Sequence, residues 1–144
     1  RFDLTINEFI KKVFSSEHFD IYHADTWRPY LNLKDLNLIV GKILSKKNLI
    51  KKKYVFNTGY SEENYTKRDI IKNISKIFKK KKQNYEFVDN NHFDKRNYKV
   101  NFSKIKLLDV KKTISIKKGI REILNYLDKN KNINFEKKVF YNHK

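Results

Sequence analysis

The sequence predicts an α/β fold, because stretches with apolar residues at helical spacing alternate with short runs of β-branched and aromatic residues. The strands are few and short, which indicates several amphipathic helices around an incomplete parallel sheet. No internal repeat and no Gly/Ser-rich linker interrupts the pattern. Residues 1–128 are therefore predicted to form one unit, followed by a Lys- and Asn-rich tail at 129–144.

The first helix is predicted to begin at Asp3, because a carboxylate suits the N-cap position. One apolar stripe follows at helical spacing: Ile6, Phe9, Ile10 and Val13. Residues 19–22 then read Phe-Asp-Ile-Tyr, which predicts a short strand.

An extended segment and a second helix come next. Pro29 disfavours helical geometry at Arg28, so residues 27–33 are predicted to be extended. Asp35 is expected to place a negative charge near the start of the helix that follows. Apolar residues recur there at steps of three and four, which predicts an amphipathic helix: Leu36, Ile39, Val40, Ile43 and Leu44.

The middle of the chain predicts two strands around a third helix. Residues 54–57 form a short aromatic and β-branched run that Gly59 ends, and residues 85–88 form a second one. Thr66 and Asp69 have the spacing of a capping box. The helix behind them carries one apolar stripe: Ile70, Ile71, Ile74, Ile77 and Phe78.

The C-terminal part predicts an extended segment at 97–102, a short helical turn capped by Ser103, and a last helix capped by Ser115. The last helix carries a regular apolar face: Ile116, Ile120, Ile123, Leu124 and Leu127.

The chain has 144 residues, no cysteine and a formal net charge of +18. The absence of cysteine rules out a disulfide scaffold or a thiolate metal site and fits a reducing, cytoplasmic location. No segment has the roughly 18 apolar residues that a membrane span needs, and the first ten residues lack the apolar core of a signal peptide. The charge indicates a polyanionic partner, so a small basic nucleic-acid-binding domain is the alternative interpretation. Because Lys outnumbers Arg 29 to 5, we favour compositional drift over a nucleic-acid partner.

Five segments occur in a familiar order: RFDLTINEFI at 1–10, WRPYLNLKDL at 27–36, KYVFNTG at 53–59, NYTKRDII at 64–71 and a C-terminal run at 94–124. The second is similar to the pattern R-x-[YW]-[IVL]-[HY]-V-x-D, and the third to a late strand that ends Y-N-[IVL]-G. Together they resemble the C-terminal, substrate-binding part of the NAD-dependent epimerase/dehydratase family. These are the extended short-chain dehydrogenase/reductases that act on nucleotide sugars.

The resemblance implies that the complete enzyme binds NAD or NADP through an N-terminal Rossmann half, so the sheet of the present chain is an incomplete Rossmann sheet. Glycine occurs only at positions 41, 59 and 119, so no Gly-rich dinucleotide turn exists here, and no cofactor-binding or catalytic residue is assigned. We expect a nucleotide-sugar-binding part that is not catalytic alone. Its implied partners are a nucleotide-diphosphate sugar and the Rossmann half, on the same or a separate chain. A homodimer of the complete enzyme is also implied.

The resemblance assigns substrate binding to Arg28, Arg96, Asn7 and Tyr98. Arg28 is expected to reach the diphosphate, because a guanidinium meets phosphate oxygens in a bidentate fork and keeps its charge. Arg96 is expected to contact phosphate or sugar, Asn7 to contact substrate from the first helix, and Tyr98 to pack against base or sugar.

Each assignment has a structural alternative. Arg28 would instead stack on Trp27 or Tyr30, or pair with Asp25. Arg96 would pair with Asp94 or Asp89. Asn7 would be an ordinary helix residue, and Tyr98 a core residue.

Tyr30 and Lys34 have the Tyr-x-x-x-Lys spacing of the family's catalytic pair. We interpret the match as a coincidence, because Lys is abundant and Pro29 places the tyrosine before the helix instead of inside it. The histidines at 18, 23, 92 and 143 lack the spacing of metal ligands, so no metal site is predicted.

Overall fold

Four α-helices and four short β-strands alternate along the described part of the chain, which confirms the predicted α/β class. The structure is a computed structural model, and it describes residues 1–48, 54–78, 84–88 and 96–142. The helices are α1 (Thr5–Ser15), α2 (Leu33–Ser45), α3 (Lys67–Ile77) and α4 (Ile116–Lys129). The strands are β1 (Phe19–Tyr22), β2 (Trp27–Pro29), β3 (Asn64–Thr66) and β4 (Tyr85–Val88). Short 3-10 helices lie at Ser61–Glu63, Ser103–Leu108 and Lys138–Phe140.

The described strands form two separate two-stranded sheets. β1 pairs with β4 in parallel, with Phe19 opposite Tyr85. β2 pairs with β3 in antiparallel orientation, with Trp27 opposite Thr66. The sequence predicts β1 and β4 with their observed bounds and overlooks β3, because three residues carry too little alternation to be recognised.

The main core lies between β1 and the three helices α1, α3 and α4. Each of these helices turns its apolar stripe inward, as the spacing predicts. The best-buried side chains of this core are Ile10, Ile21, Ile70, Ile71, Ile74, Ile120 and Leu127. Burial of one such side chain stabilises the fold by roughly 1.5–3 kcal/mol, so this cluster fixes how the helices sit on the strand.

A smaller core joins α2 to the C-terminal part, where Ile39 packs with Tyr60, Ile105 and Leu108. Asp35, in the first turn of α2, is only 1% exposed and holds the segment before α4. Its carboxylate accepts hydrogen bonds from the Thr113 amide at 3.0 Å, the Thr113 hydroxyl at 2.5 Å and the Ile114 amide at 3.1 Å. The negative charge predicted at the start of α2 therefore also joins this helix to the segment before α4.

The outer face of α2 is apolar and open to solvent. Leu33, Val40 and Leu44 are 73%, 42% and 65% exposed, whereas Ile39 is fully buried. The predicted stripe is therefore divided lengthwise: Ile39 and Ile43 face the smaller core, whereas Val40 and Leu44 face solvent.

Two predicted extended segments differ from the structure. Residues 54–58 have no regular structure, so the strand predicted at Tyr54–Asn57 is wrong. A strand needs a hydrogen-bonded neighbour, and none of the four described strands pairs with this segment. The extended segment predicted at residues 27–33 is one residue too long. Asn32 has extended backbone and caps α2 by accepting from the Lys34 amide, and the helix begins at Leu33.

The helix caps are predicted in part. Thr66 and Asp69 form the predicted capping box, and the Ser115 side chain accepts from the Lys118 amide, so both caps are confirmed. Asp3 is not a cap, because its carboxylate binds the Arg1 side chain and Leu4 takes the N-cap position.

Ser103 is not a cap either. It is the first residue of its 3-10 helix, and Phe102 precedes it as the N-cap without a side-chain bond.

The C-terminal tail folds back onto α1 and the N-terminus. The Phe2 amide donates to the Phe140 carbonyl at 2.8 Å, and the rings of Phe135 and Phe140 pack on Phe2. The Lys11 ammonium, largely buried, contacts Glu136 and the Tyr141 hydroxyl. Burial lowers the pKa of Lys11, but these two partners outweigh it, so the pKa lies above its usual value.

None of the described helices combines the length and the apolar content that a crossing of the bilayer would take.

Candidate functional site

Three of the four predicted substrate-binding residues lie on strand β2 or on the segment beside it. The chain returns at residues 96–100 to run along this strand, where the Tyr98 amide donates to the Trp27 carbonyl at 3.4 Å. We call this surface the β2 edge and define it by Trp27, Arg28, Arg96, Tyr98 and Lys99. The structure thus brings together residues that are about 70 positions apart in the sequence.

Two asparagine side chains hold the returning segment in place. Asn97 accepts from the Trp27 amide at 2.8 Å. Asn64 on β3 accepts from the Val100 amide at 2.9 Å and donates to the Val100 carbonyl at 3.1 Å. The Asn64 amide replaces the backbone of a neighbouring strand, so the segment is fixed without forming a strand itself.

Arg28 lies over an aromatic ring at the centre of the β2 edge. Its guanidinium carbon is 5.3 Å from the centre of the Tyr98 ring, and its Nη1 donates to the Trp27 carbonyl at 2.7 Å. The alternative partner Asp25 is held in a bidentate pair by Arg68, at 2.7 and 2.8 Å. Arg28 is therefore stacked and half-buried, an arrangement that reduces the conformational freedom it would lose on binding an anion.

The other residues of the β2 edge extend the same chemistry. The Lys99 ammonium is 3.6 Å from the centre of the Trp27 ring, a cation–π contact. The Tyr98 ring is 50% exposed, and Arg96 is exposed at the start of the segment. Planar rings and fixed positive charges beside one another suit a ligand that carries both a flat base and phosphates.

Asn7 lies in α1 and faces a different feature. Its amide nitrogen donates to the Arg1 carbonyl at 2.7 Å, and its side chain lines a cavity of about 580 Å³. We call this cavity the three-helix cavity, because α1, α2 and α4 all begin at its wall. Such a volume is within the range of about 300–1,000 Å³ that is typical of small-molecule sites.

The three-helix cavity is lined by both apolar and acidic side chains. Tyr60, 6% exposed, contributes to its wall, and the Tyr60 hydroxyl has no hydrogen-bond partner among the described residues. Glu63, 5% exposed, also lines the cavity and accepts from Lys112 at 2.5 Å. Burial raises the pKa of Glu63, and the opposing effect of Lys112 is smaller. Burial likewise raises the pKa of the Tyr60 phenol.

Tyr30 connects the three-helix cavity to the β2 edge. It lines the cavity, and its phenol is hydrogen-bonded to the Thr5 side chain and lies close enough to Arg28 to feel its charge. Burial raises the pKa of Tyr30 although Arg28 and Thr5 act in the opposite direction. Lys34, the other member of the Tyr-x-x-x-Lys spacing, lies in the first turn of α2, and its ammonium pairs with the Glu122 carboxylate at 3.0 Å. Tyr30 precedes that helix, so the two residues do not share a helical face.

The glycines do not form a dinucleotide cradle. Gly41 lies inside α2 and Gly119 inside α4. Gly59 has a φ of 152°, and a Cβ atom there would come within 2.6 Å of the Phe102 ring, so this glycine permits close packing. These residues therefore do not supply the Gly-rich turn that holds the diphosphate of NAD or NADP. Across the described ranges, no three side chains of the His, Cys, Asp or Glu type are grouped so that they would hold a metal ion.

Sequence reasoning missed Tyr60, Glu63 and the two asparagines that position the β2 edge. Asn64 and Asn97 carry no signal in a single sequence, because their roles depend on contacts between distant segments. Tyr60 precedes a 3-10 helix and Glu63 is its last residue, and such a short helix has no pattern that separates buried from exposed positions.

Comparison with known proteins gives a match in fold. No protein-family model and no curated protein matches the sequence. Among solved structures, the chain is similar to dTDP-glucose 4,6-dehydratase from Bacillus anthracis in complex with NAD, with a TM-score of 0.70 and 20% identity. It is also similar to UDP-glucose 4-epimerase from Thermus thermophilus in complex with NAD, with a TM-score of 0.68 and 13% identity.

These matches cover 91% and 88% of this chain but 41% and 40% of the solved chains. The present chain thus has the fold of about two fifths of each of these two solved structures.

Proposed function

We propose that this chain is the nucleotide-sugar-binding part of an NAD(P)-dependent epimerase/dehydratase-like oxidoreductase. The observation that carries the proposal is Arg28, stacked on Tyr98 at the β2 edge of a fold that resembles part of two nucleotide-sugar enzymes. The ligand class is a nucleotide-diphosphate sugar.

The β2 edge, together with Asn7 on α1, offers a suitable group for each part of such a ligand. The guanidinium of Arg28 meets two phosphate oxygens with parallel N–H donors, and Arg96 lies on the adjacent segment to meet a further oxygen. The exposed Tyr98 ring stacks on the base. Asn7 contacts the ligand from the start of α1.

Hydride transfer needs a nicotinamide held against the sugar carbon. Because the glycines of this chain do not supply the Gly-rich turn for that cofactor, NAD or NADP belongs to a Rossmann half, on the same polypeptide or on a separate chain. The present residues then bind and orient the nucleotide sugar, and they are not catalytic alone. The complete enzyme is proposed to form a homodimer.

Calorimetric titration with UDP-glucose, dTDP-glucose, GDP-mannose and CDP-glucose tests the proposal. We expect weak binding of at least one of them, and we expect Arg28→Ala to weaken it by about tenfold or more, because a charge-assisted hydrogen bond is lost. Arg121→Ala is the matched control, since Arg121 is exposed on α4 and its loss changes the net charge equally. An Arg28→Ala protein that binds as well as the control would contradict the site.

The alternative function, a small basic nucleic-acid-binding domain, follows from the net charge of +18. It predicts binding of any duplex with an affinity that falls steeply between low and physiological salt. Salt-dependent DNA binding, together with no heat of binding in the calorimetric titrations with nucleotide sugars, would overturn the proposed function.

A further inference from the structure

The C-terminal tail is bonded to the first three residues of the chain. The Phe140 carbonyl accepts from the Phe2 amide at 2.8 Å, and the Asn142 backbone amide donates to the Asp3 carboxylate at 3.2 Å. The same carboxylate accepts two hydrogen bonds from the Arg1 guanidinium, at 3.0 and 2.8 Å. Phe2 is 5% exposed, and the centre of its ring lies 5.8 Å from that of Phe140. The position of residues 1–3 therefore depends on the tail.

Residues 1–3 in turn hold the side chain of Asn7. The Asn7 amide nitrogen donates to the Arg1 carbonyl at 2.7 Å. A backbone carbonyl only accepts hydrogen bonds, so the atom that faces Arg1 is the amide nitrogen and not the amide oxygen. This bond fixes the plane of the half-buried Asn7 amide, and its second N–H and its oxygen then point in set directions.

The tail and Asn7 also share a wall. Both Phe140 and Asn7 line a cavity of about 320 Å³ beside α4, together with Phe2. Arg1 lies outside the helices and strands, so the hydrogen-bond ladder of α1 does not set the position of its carbonyl. The contacts between residues 1–3 and the tail supply that constraint instead.

A side chain that is already held binds a ligand more tightly than a free one, because the rotamers of a free side chain must be ordered on binding. Asn7 is the proposed substrate contact on α1. We propose that the C-terminal tail positions Asn7 for the nucleotide sugar, with Phe140 and Asp3 as the positioning residues. This inference rests on the proposed function.

Double-mutant cycles in the full chain test the proposal. Phe140→Ala removes the ring that packs on Phe2, and Asp3→Ala removes the carboxylate that joins Arg1 to the tail. Each substitution is made alone and together with Asn7→Ala. Val139→Ala is the matched control, because Val139 lies in the same 3-10 helix as Phe140 and is 78% exposed. Circular dichroism confirms that each variant is folded at the temperature of the titration.

The measurement is the affinity of each protein for UDP-glucose, dTDP-glucose, GDP-mannose and CDP-glucose. We expect Asn7→Ala to weaken the binding of at least one of them by about two- to tenfold, as for the loss of one hydrogen bond. Phe140→Ala and Asp3→Ala should each weaken it by about two- to fivefold, and Val139→Ala should leave it unchanged. Loss of the negative charge of Asp3 would by itself favour an anionic ligand, so weaker binding by Asp3→Ala indicates lost positioning.

The double variants separate positioning from a purely structural role. In a protein that already carries Asn7→Ala, neither further substitution should weaken binding, because both act through Asn7. Losses that add in the double variants, or an affinity that Phe140→Ala and Asp3→Ala leave unchanged while Arg28→Ala lowers it, overturn the positioning role and leave the proposed function standing. If Phe140→Ala does not fold, the cycle with Asp3→Ala decides. Binding of no nucleotide sugar by the wild-type protein overturns both.

Discussion

The substitution Asp35→Asn tests how the segment before α4 is held to α2. In the wild-type protein the buried carboxylate accepts three hydrogen bonds, two from Thr113 and one from the Ile114 amide. An asparagine of the same shape keeps one acceptor oxygen and presents an NH₂ group to a donor on the other side. At least one donor is then left unsatisfied in a position where Asp35 is 1% exposed.

The size of the effect follows from two losses. A hydrogen bond to a charged group contributes about 1.5–3 kcal/mol, and an unsatisfied buried N–H costs about 1–3 kcal/mol. We therefore expect Asp35→Asn to lower the free energy of unfolding by about 3–5 kcal/mol, a large fraction of the roughly 5–15 kcal/mol of a typical domain. Urea denaturation followed by circular dichroism measures the change, with the m-value expected to stay constant.

Asp109→Asn is the matched control for this prediction. Asp109 is exposed and has a φ of 51°, a conformation that asparagine also adopts readily. We expect it to change stability by less than about 0.5 kcal/mol. If Asp35→Asn costs no more than the control, Asp35 does not clamp the two segments.

Three further predictions concern other parts of the molecule. Burial favours the neutral carboxyl of Glu63, so the stability advantage of wild-type protein over Glu63→Gln should decline as pH rises above 4.5 and level off beyond the raised pKa. Chemical denaturation at several pH values measures this difference, and an advantage that grows with pH would contradict the raised pKa. Gly59→Ala should lower the free energy of unfolding by about 2 kcal/mol or more through strain against Phe102, whereas Gly41→Ala, in open space inside α2, should raise it by about 0.5–1 kcal/mol. Melting temperatures of the two variants that shift in the same direction would refute this contrast. Phe140→Ala should lower the free energy of unfolding by roughly 1.5–3 kcal/mol, because contacts with the N-terminus are lost. Val139, 78% exposed, is the control, and Val139→Ala should change it by less than about 0.5 kcal/mol. Equal losses in urea denaturation would show that the tail does not pack on the N-terminus.

The sequence allows the helices to be predicted well, because each of them carries its own pattern. The stripe of α4 and the capping box of α3 depend on residues three and four positions apart, and both appear as predicted. Strands β1 and β4 also appear where the sequence places them, although nothing in a single sequence reveals that they pair in parallel.

The failures come from contacts that a local pattern cannot contain. Residues 54–57 have the composition of a strand, but strand formation needs a partner, and the four described strands offer none. Asp3 has the side chain of a cap and binds Arg1 instead.

Within the candidate site, the resemblance points to Arg28, Arg96 and Tyr98. The structure places Arg28 over the Tyr98 ring, and Arg96 lies two residues before Tyr98 on the same segment. The Asn64 and Asn97 contacts that position them arise only when distant segments meet.

The proposed role of Arg28 as the diphosphate-binding residue is tested most directly by phosphorus NMR. The two phosphate resonances of UDP-glucose and dTDP-glucose are followed as wild-type, Arg28→Ala and Arg121→Ala proteins are added at constant ionic strength. We expect both resonances of at least one nucleotide sugar to shift and broaden with wild-type protein and with Arg121→Ala, and to remain unchanged with Arg28→Ala. Equal shifts with all three proteins, or no shift with wild-type protein, would contradict the proposal that Arg28 on the β2 edge binds the diphosphate of a nucleotide sugar.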